Sequence, residues 1–343
     1  MGRPSRRTSQ GEGPAWDADA HHRHLDRAQG AYEQVLTALQ AMDRSPEQQR
    51  HVASAYHQLG MVARRRGDLG AAEDWYRKSL TISEKLGNRP GMASSYHQLG
   101  IVAQNRGELV AAEDRYRKSL TIEEELGNRP GMASSYHQLG IVAQNRGELV
   151  AAEDWYRQSL TISEKLGDRP GMARSYHQLG TVAQLRGELG VAEDWYHQSL
   201  AISEELGDRP GMAGTYHQLG IVAQDKGQLD TAQDWYHQSL AISEELGDRP
   251  GMALAYAQSG LLAAQQGQLA EALARAVRCV SLFDEIPHPL TGTGPRDLAR
   301  LTSQLGIAAL EVAWREVTDE GLPADVRGYV ADRIQEEGTR SDQ

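Results

Sequence analysis

The pentapeptide Tyr-His-Gln-Leu-Gly stands at residues 56–60, 96–100, 136–140, 176–180 and 216–220, with a decayed copy, Tyr-Ala-Gln-Ser-Gly, at 256–260. The step is 40 residues each time. Residues 91–130 and 131–170 differ only at Arg115/Trp155, Lys118/Gln158, Glu123/Ser163, Glu125/Lys165 and Asn128/Asp168. A fixed period of this size marks stacked supersecondary units, each too thin to bury its own apolar face. The 343 residues are therefore expected to form an elongated array of six units with a different segment at each end.

Within one unit, Met92, Tyr96, Leu99 and Ala103 step by four, three and four, which places them on one face of a helix. Gly107 ends that helix. A second helical pattern runs through Leu109, Ala112, Tyr116, Leu120 and Leu126 and stops at Gly127. Asn128-Arg129-Pro130 or Asp168-Arg169-Pro170 follows, in which Asn or Asp caps the next helix and Pro is tolerated in its first turn. Each unit thus predicts an antiparallel hairpin of two helices, each about 27 Å long at roughly 1.5 Å per residue. Gly100, in mid-helix, costs about 1 kcal/mol relative to Ala. Its recurrence in all six units points to a neighbour too close for a side chain, and Tyr116, with Ala112 beside it, is the expected one.

The ends depart from the repeat. Residues 1–20 read as a flexible tail and 21–45 as an N-terminal capping helix, with a helical pattern from Leu25 to Met42. Ser45-Pro46 starts a first-unit helix about one turn longer than the others. Six hairpins occupy 46–284, and Pro287-His288-Pro289 breaks the pattern. Residues 285–343 hold two or three helices, one carrying Leu310, Trp314 and Val317 and one carrying Val326, Val330 and Ile334. They are expected to cap the last apolar face, with a separate docking module as the alternative.

Tyr96, Leu99, Gly100, Gly107, Ala112, Tyr116 and Leu120 fall where the tetratricopeptide repeat has its aromatic, Leu-Gly, turn Gly, small Ala and second aromatic. Over about residues 46–284 the chain resembles that family, and only the period departs from its 34-residue form. The longer unit is similar to the repeats of kinesin light chains, spindle-orientation adaptors and bacterial signalling NTPases. The resemblance implies an all-α, right-handed superhelical solenoid of helix-turn-helix hairpins.

Several classes of function are disfavoured. A net charge of −11 argues against nonspecific nucleic-acid binding, which needs a basic stripe. No apolar run approaches the roughly 20 residues that cross a bilayer, and the basic N-terminus has no apolar core after it, so neither a membrane span nor a secretory signal is expected. Cys279 is the only cysteine; no internal disulfide can form, which fits a reducing, cytoplasmic setting. Arg6-Arg7-Thr8-Ser9 looks like a basophilic kinase site, but such strings in tails are usually incidental.

No phosphate loop, dinucleotide fingerprint or zinc-protease pair of histidines is present. The Gly-rich stretch from Thr291 to Asp297 lacks the Lys-Ser/Thr of a phosphate loop and reads as a helix start. Glu113-Asp114 and Glu153-Asp154 are adjacent on a helix, point about 100° apart, and read as a solvated face. His57, His97, His137, His177 and His217 form a column. Packed helices lie about 8–10 Å apart whereas zinc ligands sit about 2 Å from the ion, so neighbouring rungs would not share one. His21, His22 and His24 read as a solvated helix start. No metal, cofactor or catalytic residue is expected.

By the resemblance, first helices line the concave surface, and the positions that face a peptide map to Ser94, His97, Ile101, Gln104 and Asn105, then to Ser134, His137, Ile141, Gln144 and Asn145. Arg64 and Arg65 hold the last two places in unit one, His177 and Gln184 belong to unit four, and His217, Gln224 and Asp225 to unit five. Carboxamides and imidazoles both donate and accept, so a row of them can follow an extended backbone. With an ordinary His near 6.5, binding would vary between about pH 5.5 and 7.5, and His137, Gln144 and Asn145 could become Ala without loss of stability. The alternative is that the identity of units two and three records recent duplication alone.

Trp75, Trp155, Trp195 and Trp235 read either as core between hairpins or as an exposed aromatic strip, and Arg115 at the equivalent place implies that the position is partly open to water. The net charge per unit runs +3, −1, −1, −3 and −4 from residues 51–90 to 211–250, a gradient that would orient an extended partner.

The expected function is a noncatalytic scaffold that binds an extended peptide or helix of a protein partner. A weak end cap would allow end-to-end self-association. The rival readings are a peptide-sensing arm that controls an effector on another chain, and an enzyme whose site lies in the last 60 residues, where Asp297, Arg315 and Asp319 stand without a partner constellation.

Overall fold

The structure is a computed structural model that describes residues 18–41 and 45–341. The fold class is all-α, with no strand among the described residues. A leading helix, α1 (Ala18–Gln40), begins inside the stretch read as a tail. The rest of that stretch, with Arg6-Arg7-Thr8-Ser9, lies outside the described residues, as do Met42 and the side chains of His21 and His22.

The repeats then alternate two helices. The first helices are α2 (Pro46–Arg65), α4 (Arg89–Asn105), α6 (Arg129–Asn145), α8 (Arg169–Leu185), α10 (Arg209–Asp225) and α12 (Arg249–Gln265). The second helices are α3 (Leu69–Lys85), α5 (Leu109–Leu126), α7 (Leu149–Leu166), α9 (Leu189–Leu206), α11 (Leu229–Leu246) and α13 (Leu269–Ser281). A 3₁₀ turn at Pro289–Thr291 precedes α14 (Gly294–Leu305), α15 (Ile307–Thr318) and α16 (Ala324–Ser341). Two compact units result, one holding α1–α8 within Trp16–Glu188 and one holding α9–α16 within Leu189–Gln343.

Local chemistry sets the helix limits. The Ser45 side chain accepts from the Gln48 N–H and starts α2, and the Asp168 carboxylate accepts from Gly171 N–H at 3.1 Å and starts α8, each with Pro in the first turn. Gly107 and Gly127 follow the two helices of one repeat at φ 75° and 63°, the left-handed region in which a side chain is strained.

In the α1–α8 unit, Ala103, Ala112, Tyr116, Leu120, Leu139 and Val142 form one buried cluster that joins consecutive hairpins. Ser119 donates to the Ala93 carbonyl at 3.0 Å and Ser159 to that of Ala133 at 2.9 Å, which fixes each second helix to its first. Leu126, expected on the apolar face, is 42% exposed. Its counterparts Leu166 and Leu206 are exposed to a similar degree, so the last leucine of these second helices lies off the buried face.

Glu113 and Glu153 also depart from the solvated face expected of them. Glu113 accepts from Arg117, one turn on, and from Arg146 of the next repeat at 2.6 Å; Glu153 repeats this with Arg157 and with Arg186 at 2.6 Å. Glu73 holds Arg106 in the same way, and in the α9–α16 unit Glu193 holds Lys226 at 2.6 Å. A second inter-repeat bond runs from the tag tyrosine to a glutamate of the preceding second helix, as from Tyr136 to Glu124 at 3.2 Å and from Tyr216 to Glu204 at 3.1 Å.

At the C-terminal end one apolar cluster runs from Ala263, Leu273 and Val277 through Leu298 and Leu301 to Leu310, Trp314, Val326 and Val330. The last hairpin and α14–α16 therefore share a single core. Cys279 is buried within this unit, with burial and the nearby Asp297 pushing its thiol up to about 12.

Candidate functional site

The first-helix stripe has the surface that its spacing implies. Ser94 and Asn105 are exposed, with His97, Ile101 and Gln104 half-buried between them, and Ser134, His137, Ile141, Gln144 and Asn145 repeat this order. His177, Gln184, His217 and Gln224 are half-buried, and Asp225 is exposed. Arg65 is exposed, while Arg64 is half-buried with its guanidinium beside the Tyr76 hydroxyl.

Beneath the stripe lies the buried tyrosine of each second helix. The Tyr116 hydroxyl donates to Gln104 Oε1 at 2.9 Å, Tyr156 to Gln144 at 3.0 Å and Tyr236 to Gln224 at 2.8 Å. Tyr116 also meets Gln138 Oε1, from the next repeat, at 3.5 Å. The tag glutamine was not singled out in the sequence, although its presence in every copy was the available signal. Gln224 donates in turn to Gln265 at 3.0 Å, so both ends of its carboxamide are engaged internally.

The histidines share this footing. The His97 ring centroid is 5.4 Å from that of Tyr116, His137 is 5.5 Å from Tyr156, and His217 is 5.8 Å from Tyr236. Burial lowers His97, His137 and His177 to about 4, with the Arg174 charge adding to the effect at His137. The expectation of an ordinary value near 6.5 is thus corrected: burial takes the protonated ring out of water and so favours the neutral imidazole. Changing His137, Gln144 and Asn145 together to Ala would also remove two contacts to Tyr156, so that triple change is not neutral for stability.

Tag tyrosines and tryptophans stack on one another: Tyr56 on Trp75 at 5.5 Å, Tyr136 on Trp155 at 5.6 Å, and Tyr216 on Trp235 at 5.5 Å. These tryptophans are half-buried, and Arg115 stands half-buried at the same position of its repeat.

Among the described residues no group of three His, Cys, Asp or Glu side chains could hold a metal ion. Asp297 pairs with Arg300 at 3.1 Å, and Asp319 ends α15 in the left-handed region at φ 59°. No described helix is long and apolar enough to cross a membrane. The stripe thus presents exposed amide and hydroxyl groups at repeating positions above buried tyrosines.

The model of the tetratricopeptide repeat family matches residues 18–85, 51–125, 131–205 and 211–285. No curated protein matches the sequence. Among solved structures, BtubC (BKLC) from P. vanneervenii is 19% identical with a TM-score of 0.59, over 65% of this chain and 92% of that one. A signal transduction ATPase with numerous domains and a tetratricopeptide repeat sensor, from Pyrococcus horikoshii, is 14% identical with a TM-score of 0.64, over 85% of this chain and 46% of that one. The apo form of RapI is 14% identical with a TM-score of 0.57, over 82% of this chain and 99% of that one. At these identities the likeness is one of fold.

Proposed function

Because the chain belongs to the tetratricopeptide repeat family, we propose that it is a noncatalytic scaffold that holds an extended peptide or a helix of a protein partner along its first helices. The observation that carries this reading is the repeated pair of exposed polar ends, Ser94 with Asn105 and Ser134 with Asn145, which flank half-buried His97, Ile101 and Gln104 and their counterparts. Gln104 and Gln144 give their carbonyl oxygens to tyrosines and keep their N–H₂ groups for an acceptor such as a peptide carbonyl. In this reading Arg64 and Arg65 receive acidic residues of the partner, and α14–α16 serve as the cap that the shared apolar cluster supports.

The test is affinity capture by the full chain and by an Asn105→Arg, Asn145→Arg variant. Both asparagines are exposed, so helicity and melting are expected to stay unchanged while the captured protein is lost. Equal capture by both forms would sink the stripe as the binding surface.

A second reading is a regulatory arm whose peptide-bound state controls an effector on another chain. It is supported by the fold likeness to an ATPase that carries a repeat sensor, of which this chain spans less than half. Copurification of an ATPase or other effector whose turnover changes with the chain present would separate this role from passive scaffolding.

A further inference from the structure

The tag tyrosine anchors a second recurring arrangement, apart from the first-helix stripe. In the first hairpin Tyr56 and Trp75 stack, and Lys78 brings Nζ to 4.0 Å from the Trp75 ring centroid and 5.8 Å from that of Tyr56. In the second, Lys118 Nζ lies 2.8 Å from Asp114 Oδ2 and 5.9 Å from the Tyr96 ring. In the third, the lysine is replaced by Gln158, and Arg117 of the preceding repeat sets its guanidinium 5.3 Å from the Trp155 ring. Three successive repeats thus place a cation from their own chain near the ring of a tag tyrosine or of the tryptophan that follows it, and in the second repeat the cation also pairs with an acid.

The fifth repeat keeps the seat and lacks the cation. Tyr216 and Trp235 stack at 5.5 Å with an interplanar angle of 21°, as Tyr56 and Trp75 do, and Asp234 is exposed beside them. Gln238 stands in the place of Lys78, His237 in that of Arg157, and His197 in that of Arg117. The His197 ring meets Trp235 at 6.1 Å edge-on. Among the described residues no lysine or arginine stands over Trp235 or pairs with Asp234. Lys226, the one lysine of the repeat, is held by Glu193 at 2.6 Å, and Glu204 lies on the Tyr216 hydroxyl.

We propose that Tyr216, Trp235 and Asp234 form a docking site for a lysine or arginine side chain of a protein partner, seated on Trp235 as Lys78 seats itself on Trp75. The internal cations of the earlier repeats show the binding mode, and the −4 charge of residues 211–250 favours a basic segment. The site lies on α10 and α11 and uses none of the residues assigned to the first-helix stripe.

The test follows the indole N–H resonance of Trp235, assigned with Trp235→Phe, in the labelled full chain at low salt. The probes are one peptide of alternating glycine and lysine and one of alternating glycine and glutamate. The lysine peptide is expected to shift Trp235 saturably and the glutamate peptide to leave it unmoved. Asp234→Asn should weaken the effect at least about threefold, and Gln238→Lys, which restores the arrangement of the first repeat, should abolish it. Both positions are exposed, so the fold is retained, which the melting curve checks. A silent Trp235, an equal shift with both peptides, or indifference to both substitutions would overturn the site and leave only diffuse attraction to an acidic chain.

Discussion

A Cβ placed on Gly100 would lie 2.6 Å from Cε1 of Tyr116, closer than carbon atoms approach one another. The same holds at Gly140, where the distance to Tyr156 is 2.5 Å, so the ring fills the space that a methyl group would need. Gly140→Ala gains about 1 kcal/mol in helix propensity but overpacks the contact by about 1–3 kcal/mol. A net loss of up to about 2 kcal/mol is expected in urea unfolding. At Gly260 the nearest neighbour is the Arg275 Cβ at 3.2 Å, and Ala276 replaces the tyrosine, so Gly260→Ala keeps the same propensity gain without the ring clash and should be more favourable than Gly140→Ala by about 1–3 kcal/mol. Equal costs at the two sites would refute the packing account.

The Glu113–Arg146 bridge joins two repeats from partly exposed positions. A double-mutant cycle with Glu113→Gln and Arg146→Gln should give a coupling of about 0.5–1 kcal/mol, weakened by salt. At Glu73 the hydrogen bond from Arg77, and after it Arg106, hold the carboxyl below its ordinary value. Because the folded value lies below the unfolded one, its contribution is present at neutral pH and is lost as pH falls below the usual 4.5. Glu73→Gln should therefore lower stability at neutral pH and change it little in acid.

The neutral histidines carry a pH signature of their own. His97, His137 and His177 titrate near 4 folded and near 6.5 unfolded, so the unfolded chain takes up the protons first. Stability is full above the unfolded value and falls as pH drops from 6.5 towards 4. Chemical unfolding at about pH 7 and about pH 5, both above the ordinary carboxylate range, should show this fall. Replacing all three with Gln should reduce it, the remainder coming from His57 and His217, which burial also lowers. For the same reason partner binding through His137 should be level from about pH 5.5 to 7.5, in contrast to the swing expected of an ordinary histidine.

Deleting residues 131–170 rejoins equivalent positions, because Asn128 and Asp168 both cap a first helix and Arg186 stands where Arg146 did. Glu113 would then meet Arg186. The shortened protein is expected to stay helical and to melt cooperatively, as a chain of nearest-neighbour contacts should. A broad, noncooperative melt would contradict the repeat-by-repeat account.

Arg64→Glu with Arg65→Glu reverses the basic end of the charge gradient. Exposed charges are screened beyond about 8 Å at physiological salt, so capture of the natural partner should slow mainly at low ionic strength, with little change in release. Stopped-flow association that is indifferent both to the double change and to salt between about 0.05 and 0.5 M would show that the gradient does not steer binding.

The amino-acid sequence determined whatever depends on neighbours along one helix or across one turn. The 40-residue period, the caps at Asn128 and Asp168, the left-handed Gly107 and Gly127, and the fit of Gly100 to Tyr116 follow from 3.6-residue periodicity and backbone sterics alone. Relations between repeats were decided only by tertiary packing, because they depend on the angle at which one hairpin meets the next. Glu113 and Arg146 are 33 residues apart on different helices, and no helical spacing pairs them. The same packing sets His137 and Gln144 on Tyr156, lowering the imidazole and turning half of a presumed ligand stripe into its own support. It also leaves Trp235 bare of the cation that Trp75 carries, a difference written as Gln238 against Lys78 but meaningful only once the stacked rings are seen to need one.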